Sequence, residues 1–109
     1  MAKTAYLVIL YLSVLFSQEF VVEPYLQCPS WSTMHILWET DSNSDTKVEW
    51  GEWLTLGEVA TGTAINTYGN NQLHTVVLTE LHQSRRYYYR VVTGSLTSEI
   101  YNFIMPADP

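Results

Sequence analysis

Cysteine is almost missing from this 109-residue chain, with Cys28 standing alone. That excludes an internal disulfide scaffold and every multi-cysteine zinc site. Positive charge is scarce as well. Five Lys and Arg face eleven Asp and Glu, for a net charge of −6 at pH 7, which argues against nucleic acid or an anionic membrane surface as partner. The five glycines and four prolines form no tract or repeat, so a fibre is excluded. Charged residues make up only 15% of the chain, against 47% hydrophobic and 14% aromatic, too apolar a balance for a disordered polypeptide. Length allows one domain and no more.

One long uncharged run is present, from Ala5 to Phe16 behind Lys3. A short positive start, an apolar stretch and a following small residue describe a secretory signal peptide over residues 1–17, cleaved after Ser17. A transmembrane helix needs about 20 apolar residues, and Gln18-Glu19 interrupts this run too early. Nor does the run show an amphipathic period that would pack one face of a strand or helix against a core. A lipoprotein would need its cysteine directly after the run, and Cys28 lies well past it. The expectation is a secreted or extracytoplasmic protein whose mature chain has no membrane span. In it, Cys28 is expected to be a small buried apolar residue.

Beyond Ser17 no helical period is sustained. Short β-branched and aromatic runs alternate with Ser/Asn/Asp/Gly clusters instead. Strands are expected at Phe20–Gln27, Thr33–Thr40, Thr46–Trp53, Glu58–Thr63, His74–Thr79, Arg86–Thr93 and Leu96–Met105. Period-two alternation places Met34, Ile36 and Trp38 on one face of the second run and His35, Leu37 and Glu39 on the other. It likewise turns Val48, Trp50, Val76 and Leu78 inward. Asp41 to Asp45 is a turn cluster whose side chains can bond their own backbone. Seven strands at this spacing predict an all-β, antiparallel, immunoglobulin-like two-sheet sandwich. With no disulfide to staple it, the core must rest on aromatic volume.

Leu81, followed six residues later by Tyr87, has the spacing of a tyrosine corner, in which a phenol packs over a turn while its hydroxyl satisfies an upstream backbone group. Trp38 is then the plug between the sheets, with Trp50, Leu81, Tyr87 and Tyr89 completing the structural core.

Chemistry is harder to find. His35, His74 and His82 are the only histidines, none in a His-x-x-x-His or His-x-Glu spacing, so they are expected to face solvent or lie in turns rather than ligate a metal. No Gly-x-Ser-x-Gly elbow, phosphate-cradling glycine loop or EF-hand calcium loop occurs. The expected site inventory is therefore empty of catalytic, metal-binding and cofactor-binding residues. Three loop aromatics remain: Trp31, Trp53 and Tyr68. They are either an interaction surface for protein or sugar or lids folded back over the core.

Several segments in a fixed order carry a resemblance. They are Pro24-Tyr25-Leu26-Gln27-x-Pro29, Ser32-x-Met34-x-Ile36-x-Trp38-Glu39-Thr40, Val48-x-Trp50-Gly51, His74-x-Val76-x-Leu78-Thr79-x-Leu81 and Tyr87-Tyr88-Tyr89-Arg90-Val91. Together they resemble the N-terminal fibronectin type III-like domain of purple acid phosphatases and related secreted metallophosphoesterases. The resemblance implies a β-sandwich over residues 18–106, with 107–109 as linker or tail. It also implies that phosphatase chemistry belongs to a following domain, whose paired metals are held in Gly-Asp-x-Gly and Gly-Asn-His-Glu motifs. Neither motif occurs here, so no cofactor is expected in this chain. The expected partner is a linked or separate catalytic domain, or another protein. The alternatives are that the chain is a fragment of an acid phosphatase, or that it is a stand-alone module binding glycan or protein.

Overall fold

Each β-branched and aromatic run becomes extended chain. The computed structural model describes residues 18–107; the expected signal peptide, and residues 108 and 109 of the expected tail, lie outside them. The strands are β1 (Phe20–Gln27), β2 (Met34–Thr40), β3 (Lys47–Gly51), β4 (Glu58–Thr61), β5 (Thr63–Asn66), β6 (Gln72–Leu78), β7 (Arg86–Thr93), β8 (Leu96–Thr97) and β9 (Tyr101–Ile104). They form two antiparallel sheets, one in the order β1-β2-β6-β5 and the other β4-β3-β7-β8, with β9 also paired to β7. The fold is an all-β sandwich.

Among the described residues nine strands stand where seven are expected, and the difference has two local causes. The single strand expected over Glu58–Thr63 breaks at Gly62 and changes sheet: Thr61 pairs with Lys47 in one sheet, while Thr63 pairs with Thr75 in the other. Gly62 lies so close to β6 that a Cβ there would sit 1.9 Å from the Thr75 carbonyl oxygen. Only glycine lets the backbones approach in this way. The last expected strand divides into β8 and β9, with β9 pairing Tyr101 to Tyr89 and Ile104 to Arg86.

Between the sheets lies an aromatic core. Ile36, Trp38, Val48, Val76 and Val91 are completely buried, and Leu78, Tyr87, Tyr89, Phe103 and Met105 nearly so. Each such side chain stabilises the fold by roughly 1.5–3 kcal/mol through its removal from water. Tyr87, Phe103, Tyr89 and Tyr101 form a chain of tilted ring contacts with centroids 5.7–5.9 Å apart. Trp50 is half-buried and reaches this chain through Tyr87. Burial pushes the Tyr89 phenol up to about 12.

Trp38 spans the sheets, its Nε1–H donating to Thr93 Oγ1 on β7 at 2.9 Å. His74, directly opposite Trp38 in the β2–β6 register, stacks on it with centroids 5.0 Å apart and planes 13° from parallel. The tyrosine corner closes the other end of the core. There the His82 N–H donates to the Tyr87 hydroxyl at 2.8 Å, and Leu81 is buried beneath.

Candidate functional site

The hairpin-like turns divide the sandwich into two ends. The loop after β1, the loop between β3 and β4, the corner between β6 and β7, and the segment after β9 all gather at one of them. Leu81 N–H donates to Ser32 O, Met105 N–H to Arg85 O and Ser84 N–H to Met105 O, and Arg85 pairs with Glu52 at 2.8 Å. At the opposite end are the 41–46 turn, the β5–β6 turn and the entry of β1, where Asp41 N–H donates to Glu19 O. The structure therefore brings Trp31 and Trp53 to one end and leaves Tyr68 at the other. All three face solvent: Trp31 is 44% exposed, Trp53 74% and Tyr68 84%. None is folded back as a core lid.

Two clefts open at the Trp31–Trp53 end. One, of about 300 Å³, is lined by Cys28, Pro29, Ser30, Trp31 and Pro106. The other, of about 400 Å³, lies between the β3–β4 loop and the tyrosine corner, with Trp50, Trp53 and Tyr87 as aromatic walls and Glu52, Glu58, Glu80, His82 and Arg85 as polar ones. The β3–β4 loop that carries Trp53 is tightly folded. Leu56 N–H donates to Trp53 O and Glu58 N–H to Leu56 O, both at 2.9 Å, closing a three-residue turn around Gly57 at φ 81°. Beneath it Gly51 is pressed so closely that a Cβ would lie 2.0 Å from the Leu56 carbonyl oxygen.

Two expectations are corrected here. Cys28 is exposed, not buried. The last β1 residue packed against the core is Leu26, and Cys28 lies past the strand end, its Sγ 3.2 Å from the Ser30 carbonyl oxygen. His74 does not face solvent; it is completely buried. Its Nε2 meets Thr40 Oγ1 at 2.8 Å and its Nδ1 meets Thr46 Oγ1 at 2.7 Å, so no polar ring atom is stranded inside the core. The signal for this was in the sequence: the period of two that turns Val76 and Leu78 inward also turns His74 inward.

Burial holds the His74 imidazole below its ordinary 6.5, opposed by the Asp45 carboxylate. The neutral ring imposes a proton count. Thr40 Oγ1 also lies 2.8 Å from Ser42 O, and Thr46 Oγ1 2.9 Å from Ser44 O. A neutral imidazole donates from one nitrogen and accepts at the other. One threonine hydroxyl must therefore give its single proton to the ring instead of to its serine carbonyl.

No group of three His, Cys, Asp or Glu among the described residues is placed to hold a metal ion. His35 is half-buried on the outer face of β2, His74 is fully engaged, and His82 is exposed in the corner. These donors do not fit a dimetal centre. The outer face of the β1-β2-β6-β5 sheet is mixed: Val22, Tyr25, Ile65 and Val77 are exposed among Gln27, His35, Glu39 and Thr75. Leu37, on this face with His35 and Glu39 as the alternation predicts, is buried between Tyr25 and Thr75 of the neighbouring strands.

These features define an immunoglobulin-like β-sandwich with a satisfied core and an aromatic loop end. Its sequence matches the family described as purple acid phosphatase, N-terminal domain, over residues 22–105, and the chain belongs to that family. No curated protein matches it.

Proposed function

We propose that this chain is an exported, non-catalytic accessory module that packs against a metallophosphoesterase catalytic domain, linked to it or on a separate polypeptide. The observation that carries the reading is the apolar cleft where the chain leaves its last strand. Met105 is buried and hydrogen-bonded to Ser84 and Arg85. Pro106 then emerges beside exposed Trp31. A domain attached after Pro106 meets Trp31 and Pro29 first, and exposed tryptophans at such positions are common anchors of protein interfaces. In this reading any paired metals belong to the catalytic domain, and the sandwich holds no cofactor of its own. Export rests on the charge-free run from Ala5 to Phe16 and on the family's secreted members.

Assay of the chain with an aryl phosphate and added iron, zinc or manganese tests the reading. No turnover is expected, and metal-dependent turnover abolished by a chelator would overturn it. Titration of the chain against a purple acid phosphatase catalytic domain tests the surface. Trp31→Ala is expected to weaken association by about tenfold, a loss of about 1.4 kcal/mol.

A further inference from the structure

We propose that the cleft beneath Trp53 is a binding site for a neutral saccharide. The cleft shares no lining residue with the one beside Trp31, so the inference does not rest on the accessory role. It is built from three kinds of surface. Trp53 offers a largely exposed indole, with Trp50 and Tyr87 behind it. Arg85 and His82 supply N–H donors, and Glu52, Glu58 and Glu80 supply carboxylate acceptors. Arg85 and Glu52 are already paired with each other, so their opposite charges offset.

Ligand class follows from that inventory. A phosphate or other anion would face three carboxylates around one guanidinium that is already paired. An apolar ligand would strip water from Glu58 and Glu80 and return no hydrogen bond. A basic peptide would suit those carboxylates but leave Arg85 and His82 facing a cation. A pyranose ring presents an apolar C–H face for the indole and, around its edge, hydroxyls that both donate and accept. It is the class that engages every wall at once, in the pattern of apolar surface and a few directed polar groups that small-molecule sites show.

Backbone geometry supplies a second, independent observation. Among the described residues four non-glycine residues take positive φ: Asn43, Leu56, Glu80 and Ser84. Three of them, Leu56 at 65°, Glu80 at 59° and Ser84 at 61°, lie in the two loops that wall this cleft. Strained backbone of this kind persists only where surrounding structure fixes it, and it concentrates at ligand clamps. Here the loop backbone is locked over Gly51, so the loop that carries Trp53 is shaped before any ligand arrives and binding costs little backbone ordering.

The test is a two-dimensional amide and indole NMR titration of the chain with chitotriose, mannotriose and cellotriose. Inorganic phosphate and trilysine serve as comparison probes. At least one trisaccharide is expected to shift the Trp53 indole and the Gly57 and Arg85 amides saturably. Trp53→Ala should abolish the saturable shifts, and Glu80→Gln should weaken binding by about tenfold, both with the remaining spectrum unchanged. Trp53 is outside the core, so its alanine variant tests the site and not the fold. The proposal fails if no trisaccharide gives a saturable shift. It also fails if Trp53→Ala binds as the parent chain does, or if trilysine or phosphate saturates the same signals more tightly.

Discussion

Trp38 fills the space between the sheets and also ties them together through Thr93. Trp38→Ala should therefore cost roughly 3–5 kcal/mol, a large share of the stability of any small domain, and circular dichroism should show an unfolded chain at body temperature. Tyr87→Phe is milder. It keeps the ring in its aromatic chain and removes only the acceptor for the half-buried His82 N–H, for a loss of about 1 kcal/mol in urea denaturation. His74 sets a pH dependence. Its folded-state pKa lies below 6.5, so as pH falls past 6.5 the unfolded chain takes up a proton that the folded chain refuses. Stability is then full above 6.5 and declines as pH drops toward the depressed value. Urea midpoints measured down through that window should fall for the parent chain, and His74→Gln should lack this component of the slope. The plug and the corner were legible from spacing alone. His74 departs from the expectation because its place in the alternation outweighs its polarity, and no sequence pattern announces that the hydroxyls of Thr40, at the end of β2, and Thr46, just ahead of β3, meet its ring. Cys28 departs from expectation for a different reason: the strand ends before it, and its small apolar character says nothing about where the chain stops packing.

At the scale of elements, the β4–β5 crossing was the part least visible in advance. Both halves are short and largely exposed, so neither carries the alternation that reveals which sheet a strand joins. Glycine at position 62 marked an interruption without giving its direction. Gly62→Ala should push β5 away from β6 and destabilise the chain by roughly 1–3 kcal/mol. Hydrogen exchange should show the loss concentrated in the amides of Thr63–Asn66. Gly57 provides the contrast: it has a positive φ, but nothing lies within 4 Å of where a Cβ would be. Substitution there strains the turn without a collision, and the effect should stay local to the Trp53 loop. That Trp31 and Trp53 share an end while Tyr68 does not was equally invisible, because it depends on which way each strand runs.

For the molecule as a whole, the sheets are held by burial, ring contacts and ladder hydrogen bonds, with Arg90–Glu49 and Arg85–Glu52 as partly exposed ion pairs. Surface pairs of this kind contribute about 0–1 kcal/mol, so salt should move the unfolding temperature little. A chelator should leave it unchanged, as the donor geometry of the described residues gives a metal no seat; a drop in scanning calorimetry would contradict this. The crossing of the chain from one end to the other has a mechanical consequence. β1 enters beside Asp41 and runs toward Trp31, while β9 leaves beside Pro106, so a pull on the two extremities acts along both strands. The load then falls on the β1–β2 and β7–β9 ladders together, in shear and not bond by bond. Tethered at both extremities, the sandwich would behave as a stiff link that transmits tension until whole ladders slip at once.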